Sequence, residues 1–444
     1  MTSLNTDELR STFSGSILAE GDDGFGAFPF AVGAPALVVR PLTTDDVASA
    51  VLYASDNALA ITVRSGGHSA GAYTSVAAGL VLDLSAFADV AVDGTAVTVG
   101  TGAHWGSVAA TLGDHALALT SGDTTSVGVG GLTLGGGVGW LVRKYGLALD
   151  SLVSARVVTA AGQLVTASTT ENPDLFWALR GGGGNFGVVI DFTFEAHPLD
   201  GVVHGVITFA PDDLGALLRG YRDTLRDAPE ELNVTFVQFP PMGPAAPGGP
   251  QLHIVWAGSD LDEAMAHIRP LLALNGVIDH EISSKRYADV LDDPHPPEGN
   301  GPMPVVVGNN GWVPDFSDEA IDAIVEMDAN LAGSVLMIRY LRGAFNRAPT
   351  DSTAFAWRDA EALVISMAFL PPDAPAEVVD AVHHGWRGVE SFTVGVYGNF
   401  LMSAEQSVVA RMYPPATHAR LAAVKKAWDP QNVFSQTQNV APAP

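Results

Sequence analysis

The chain has 444 residues, 47% hydrophobic and 16% charged, with 48 glycines and 28 prolines, so it is a core-forming chain rather than a disordered one. That length exceeds what one hydrophobic core usually supports, and two domains or one large domain with an insertion are expected. A formal charge of -27 argues against nucleic acid and anionic membrane surfaces as partners, and the absence of cysteine excludes disulfides, thiolate nucleophiles and sulfur-ligated metals.

The N-terminal stretch "MTSLNTDELRSTF" lacks a basic start followed by an apolar run, and no window approaches eighteen uninterrupted apolar residues. A soluble, cytoplasmic protein is the expectation. After "RPLTTDD", with Thr43 or Thr44 as cap, apolar residues at Val47, Ala50, Val51 and Ala54 keep helical spacing. "ALAITV" reads as a strand ending at a turn at Arg64. "VAVDGTAVTV" around Asp93-Gly94 and "LVSARVVTAAGQLVTAS" around Ala161-Gly162 read as hairpins.

Between the hairpins, residues 120–140, "TSGDTTSVGVGGLTLGGGVGW", place glycine at almost every second or third position. Such a run is expected to be neither a good helix nor an ordinary strand. The apolar residues woven through it, Val127, Val129, Leu132, Leu134 and Val138, favour a backbone surface packed closely against something flat or charged over a linker. "NPDLFWALRGGGGNFGVVIDFTFEAHPL" then predicts a helix capped by Asn172 with Pro173 in its first turn, a glycine turn and a strand.

A boundary is expected near Pro198. Beyond it come strands such as "VHGVITFA", "NVTFVQF" and "QLHIVWA" mixed with helices such as "DEAIDAIVEMDANL", and residues 240–250 read as a long hairpin loop. A last helix around "THARLAAVKKAW" leads into "DPQNVFSQTQNVAP".

Several local patterns compete as sites. "GHSAG" fits the G-x-S-x-G nucleophile elbow with Ser69 attacking, but "AGAYTSVAAG" after it has little of the helical amphipathicity an elbow needs. Gly182, Gly184 and Gly187 form a G-x-G-x-x-G that follows a helix and opens a strand, the reverse of the dinucleotide-binding order. His383 and His384 are adjacent on a helix and point apart, so no metal is expected. "RSGGH", Arg64 to His68, is a glycine turn after a strand whose successive amides suit a diphosphate.

"RSGGHS", "SVGVGGLTLGGGVGWLVRKYGLALD", "NPDLFWALRGGGGNFGVV" and "YPPATHARLAAVKKAWDPQNVFSQTQN" resemble the vanillyl-alcohol oxidase superfamily of FAD enzymes, and within it the berberine bridge enzyme-like branch. The resemblance is dense over roughly residues 35–198 and 395–440. It implies a two-domain α+β fold: an FAD-binding domain of residues 1–198 completed by 412–444, and an inserted antiparallel-sheet substrate domain of residues 199–411 with helices on its far side. It also implies FAD bonded covalently through His68, with Arg64, Ser65, Gly66 and Gly67 at the diphosphate and Ser69 beside them.

Many relatives carry a second flavin link through cysteine in a C-x-x-V-G pattern. Here "TTSVG" puts Thr124 in that place, so attachment through His68 alone is expected. Val127 matches a position where valine admits oxygen to the reduced flavin, which implies an oxidase forming hydrogen peroxide. Gly122, Gly128, Gly130, Gly131, Leu134 and the run Gly135 to Gly137 match the wall of the FAD site, and Val188 and Val189 a strand beside the adenine.

"VYGNF" is similar to the family's Y-x-N motif, expected on one face of a strand, with Tyr397 as base toward an alcohol and Asn399 and Asn439 as polar contacts to the flavin. Gln238, His253, Arg339 or Tyr340, and Trp357 or Arg358 are polar or aromatic candidates on predicted strands of the substrate domain. The implied partners are a small-molecule substrate and dioxygen. Oxidation of an amine or N-heterocycle is the rival reading, and a serine hydrolase using Ser69 the rival of another class.

Overall fold

The computed structural model describes the chain except for residues 1–5, 26–33, 70–75, 211, 242–247, 293–304, 332 and 403–405. Near the N-terminus, strand Leu80–Asp83 runs parallel between Leu37–Arg40 and Ile61–Arg64, and Ser16–Leu18 adds antiparallel at one edge. Helix Thr44–Asp56 makes the crossover. Its capping box uses Thr43 and Asp46, and Val47, Ala50, Val51 and Ala54 are buried as their spacing predicted.

A second, antiparallel sheet runs in the order Val90–Asp93, Ala96–Gly100, Val188–Glu195, Leu152–Val158, Leu164–Ser168. Both predicted hairpins are in it, turning at Gly94 and Gly162, which take the positive φ values of 61° and 72° that such turns require. The third sheet is antiparallel and seven-stranded among the described residues. Its order is Val277–Lys285, Val202–Phe209, Gly249–Trp256, Leu232–Phe239, Ser334–Tyr340, Ala362–Leu370, Val305–Val313. Helices Leu214–Asp227, Leu261–Leu272, Asp318–Asn330 and Ala376–Glu390 bury their apolar stripes on one face of it, against Val234, Phe236, Ile254 and Ile338. The strands on either side of 240–250 pair directly, and residues 242–247 of that loop lie outside the described residues.

Register decides what the opposite face presents. Val206, His253, Thr235, Arg339, Leu363 and Trp312 are successive cross-strand partners and form one row across six strands.

Four local expectations are corrected. The glycine run does contain a helix, Val129–Gly135, because tertiary packing overrides its poor propensity: Gly130 approaches Thr101 so closely that a Cβ would lie 2.4 Å from its Oγ1. Asn172 precedes helix Pro173–Leu179 but does not cap it through its side chain; at φ 49° its Nδ2 donates instead to Thr166 O, 2.7 Å away. Tyr397 and Asn399 are not on a strand but flank the start of a 3-10 turn, Gly398–Phe400. Trp357 and Arg358 precede strand Ala362–Leu370 and do structural work, Trp357 Nε1 donating to Met412 O at 2.7 Å and Arg358 pairing with Asp150 at 2.7 Å.

After helix Pro415–Trp428 the chain returns across the molecule. Buried Lys425 donates to Asp429 Oδ2 (2.6 Å), Asn185 O (2.7 Å) and Phe434 O (2.9 Å), pinning that return to the turn before Val188–Glu195. No helix of the described residues is long and apolar enough to cross a membrane.

Candidate active site

The expected flavin-side residues converge on one cavity of about 290 Å³. Strand Ile61–Arg64 ends at its mouth, and Arg64, Ser65, Gly66, Gly67, His68 and Ser69 all line it. Ser65 fixes this loop by donating to Thr101 O (2.6 Å) and accepting from Gly130 N (3.3 Å). Gly66 lies so near the facing loop that a Cβ would sit 2.4 Å from Gly128 N, and Gly67 has φ 67°. Arg64 Nη1 lies 3.7 Å from Asp83 Oδ2, an oxygen it shares with Arg40 Nε at 3.1 Å.

His68 is the exposed residue of this loop. Desolvation lowers its pKa against the opposing pull of Asp123, which favours the neutral imidazole.

The facing wall carries Gly122, Val127, Gly128, Gly131 and Leu134, with Val189 from the second sheet. At Gly135 a Cβ would fall 2.1 Å from Asn399 Oδ1, so glycine is required for the backbone to reach the third wall. That wall is Tyr397, Asn399 and Phe400 with Met412, Thr437 and Gln438. Five expected residues do not line the cavity: Thr124, Gly136, Gly137, Val188 and Asn439. Thr124 forms a parallel bridge with Asp292, Gly137 acts through its N–H, and Asn439 keeps its Oδ1 buried without a partner in the described protein while its neighbours Thr437 and Gln438 take the cavity positions.

Tyr397 is 3% exposed, and its hydroxyl oxygen accepts from Gly137 N (2.9 Å), Asn399 Nδ2 (2.9 Å) and, more weakly, Val138 N (3.4 Å). A phenol oxygen has two lone pairs, whereas three converging donors match a phenolate. Burial still dominates and holds the phenol pKa above its ordinary 10; the three donors and the charge of Arg339 pull the other way. The ring is fixed among Trp312, Phe355 and Phe400, with centroids 5.3, 6.3 and 5.3 Å away. Its backbone is locked to the sheet edge by Asn310, whose Oδ1 accepts from Tyr397 N at 2.6 Å.

Of the sheet candidates, Arg339 matters most: its guanidinium is ion-paired with Asp123, a cavity-lining residue that the sequence reading passed over. His253 stacks at 6.4 Å on Trp140 and is bonded to Gln251 Oε1 at 3.0 Å. Gln238 Oε1 is buried without a partner, and Tyr340 faces away, its hydroxyl donating to Glu361 at 3.0 Å. Asp123 stands in the quoted glycine run, but only cross-strand register shows that it meets Arg339.

The cavity has the character an FAD requires. Its lining is rich in side-chain-free backbone, with Gly66 and Gly128 packed against each other at one part of the wall, and the loop after strand Ile61–Arg64 offers a turn suited to phosphate. The buried Thr437 Oγ1, from a lining residue, has no partner in the described protein. Among the described residues no three His, Asp or Glu group as a metal ion would need.

Comparison with known proteins agrees. A family model for an FAD binding domain matches residues 35–168, and one described as berberine and berberine like matches residues 396–441. The (R)-6-hydroxynicotine oxidase of Paenarthrobacter nicotinovorans is 31% identical over 458 residues, covering 97% of each chain. The solved 6-hydroxy-D-nicotine oxidase from Arthrobacter nicotinovorans superposes with a TM-score of 0.85 at 28% identity, covering 97% of this chain and 99% of that one. A glucooligosaccharide oxidase from Acremonium strictum, whose flavin is a 6-S-cysteinyl, 8α-N1-histidyl FAD, shares the fold with a TM-score of 0.84 at 24% identity and 99% coverage of both. These relatives are named as oxidases, and Ser69 is a loop residue lining the cavity; residues 70–75, where the elbow helix was sought, lie outside the described residues. The chain belongs to the berberine bridge enzyme-like branch of the vanillyl-alcohol oxidase superfamily and is an FAD-linked oxidoreductase.

Proposed function

We propose that the protein is an oxidase of a hydroxyl-bearing small molecule, carrying its FAD on His68 and using Tyr397 as the base. The observation that carries this reading is the set of three donors converging on the Tyr397 hydroxyl oxygen at the cavity wall. FAD, when bound, supplies hydride acceptance at N5 and reoxidation by dioxygen. Tyr397 removes the substrate hydroxyl proton as the hydride leaves carbon, and Gly137 N, Asn399 Nδ2 and Arg339 stabilise the negative charge it holds before that transfer.

Two observations support single attachment: the His68 imidazole is held toward the neutral form by desolvation, and a chain with no cysteine cannot form the 6-S-cysteinyl link named for the glucooligosaccharide oxidase. Val127 lines the cavity, and its match to the position where valine admits oxygen supports peroxide formation. Gly122, Val127, Gly128, Gly130, Gly131, Leu134, Gly135 and Val189 form the flavin wall in this reading, with Thr437 and Gln438 taking the polar role first expected of Asn439.

The rival, oxidation of a neutral amine as the name of the hydroxynicotine relative suggests, needs no base. Acid precipitation tests attachment: yellow colour kept in the wild-type pellet and released from His68→Ala is expected, and release from both overturns it. A screen of sugars and secondary alcohols by peroxide release, repeated on Tyr397→Phe, tests the chemistry. Turnover unimpaired in Tyr397→Phe would favour the amine reading.

A further inference from the structure

Two charged residues line the described cavity, Arg64 and Asp123: Arg64 shares Asp83 with Arg40, whose Nε is 3.1 Å from the same oxygen, and Asp123 is paired with Arg339. The second pair joins two separate parts of the chain. Asp123 is in the loop that leads into the flavin wall; Arg339 is in strand Ser334–Tyr340 of the seven-stranded sheet. Its guanidinium side chain is 4% exposed, lies 5.9 Å from the centre of the Phe400 ring, and has its Nε buried with no partner in the described protein. The main chain that carries Asp123 is held in place: its carbonyl accepts from Asp292 N (2.7 Å) and Asp292 O accepts from Thr125 N (2.8 Å), a short ladder at and just beyond Asp123.

The other titratable groups nearby do not upset this balance. His68 and His253 are both held toward the neutral form by desolvation, and Asp292 is exposed and outside the cavity lining.

We propose that the Asp123–Arg339 pair sets the charge of the substrate: it makes the site accept a group that is uncharged at neutral pH, a hydroxyl or a neutral ring, and reject ammonium and carboxylate groups. The proposal deepens the reading of the site as an alcohol-oxidising one and rests on it. The physical reason is symmetrical. A buried carboxylate on the cavity wall would draw in a cation if it stood alone, and a buried guanidinium an anion; paired, each removes the other's attraction. Entry of an ammonium group would require Asp123 to give up part of its pairing with Arg339, and entry of a carboxylate the reverse.

The experiment uses the yellow holoenzyme at pH 7 and reads binding by the shift of the flavin visible bands, independent of turnover. The probes are three of one shape: benzyl alcohol, benzylammonium and benzoate. Wild type is expected to bind benzyl alcohol more tightly than either ion. Arg339→Gln leaves Asp123 unpaired and is expected to raise the affinity for benzylammonium relative to benzyl alcohol on the order of 10²-fold; Asp123→Asn does the same for benzoate. Arg339→Lys keeps the charge and is expected to keep the wild-type ranking, and the double variant Asp123→Asn with Arg339→Gln to restore it, which a merely structural role would not do.

A wild type that binds either ion at least as tightly as the alcohol overturns the proposal, and so does failure of the neutral probe to bind. A ranking unchanged by the single variants, or moved alike for both ions, also overturns it. Full turnover in Tyr397→Phe would overturn the alcohol reading while leaving the charge ranking in place, so the two failures are separable.

Discussion

On the flavin side of the cavity the chain presents backbone, at Gly66, Gly128, Gly130 and Gly135; in the sheet behind it the chain presents side chains, with His253, Thr235 and Arg339 in one cross-strand row. The first region leaves no room for an added atom: Gly66 and Gly128 meet each other's main chain, which cannot give way, and Gly130 and Gly135 meet the side chains of Thr101, Ser65 and Asn399 that hold the loops together. The second is held by side chains on a regular ladder, where one volume can replace another. On the proposed function the same division applies: the backbone-walled half holds the flavin, which every turnover shares, and the sheet half meets the substrate.

The difference can be broken most severely at Gly66. Gly66→Ala brings a Cβ to 2.4 Å from Gly128 N and 2.7 Å from its Cα, and is expected to abolish flavin incorporation and destabilise the fold by about 3 kcal/mol, read as loss of visible absorbance and a lower Tm. Tyr397→Phe should keep its flavin and fold but lose on the order of 10²- to 10⁴-fold in kcat. In wild type, a base held above its ordinary pKa of 10 is active only when deprotonated, so kcat/KM should climb through the neutral range toward alkaline pH; a plateau from pH 7 would be incompatible with Tyr397 as base.

Lys425→Met leaves Asp429 buried and unpaired and should cost about 3–5 kcal/mol in denaturant unfolding. Glu361 is next. Its side chain has no exposure, and burial raises its pKa while Arg226, Phe316 N and Arg342 lower it further, leaving it at about 2 against an ordinary 4.5. A lowered carboxylate contributes stability that is complete above pH 4.5 and lost as pH falls toward 2, here about 3 kcal/mol. Glu361→Gln should flatten that acid limb of the stability curve. The smallest effect is expected at Met337→Leu, beside the Arg339 row: under about 1.5 kcal/mol and no change in flavin content.

The same division explains what could be read from the amino-acid order. A glycine wall is local: "RSGGH" and the run from 120 to 140 carry their spacing within a few residues, and the residues they name lie around one cavity. Even there, the helix at Val129–Gly135 was hidden, because what makes those glycines helical is Thr101 and Asn399, distant in the chain. Tyr397 and Asn399 were legible as a pair, though a 3-10 turn rather than a strand brings their polar ends to 2.9 Å. Asp123 and Arg339 were not, since 216 positions separate them and only the register of Ser334–Tyr340 against Leu232–Phe239 sets the guanidinium under the loop. Trp357 and Arg358 misled for a related reason: polar residues beside a strand pattern look like site residues until their partners, Met412 O and Asp150, are seen.

The return of the chain after Lys425 makes the cavity depend on the far end of the sequence. Thr437 and Gln438 complete the third wall of the cavity, and Gln438 Nε2 braces the Tyr397 turn by donating to Gly398 O at 2.9 Å. The first wall is made by residues 64–69, translated hundreds of codons earlier. The cavity is therefore closed by both ends of the chain's order, and its third wall is whole only in a chain that runs through position 438.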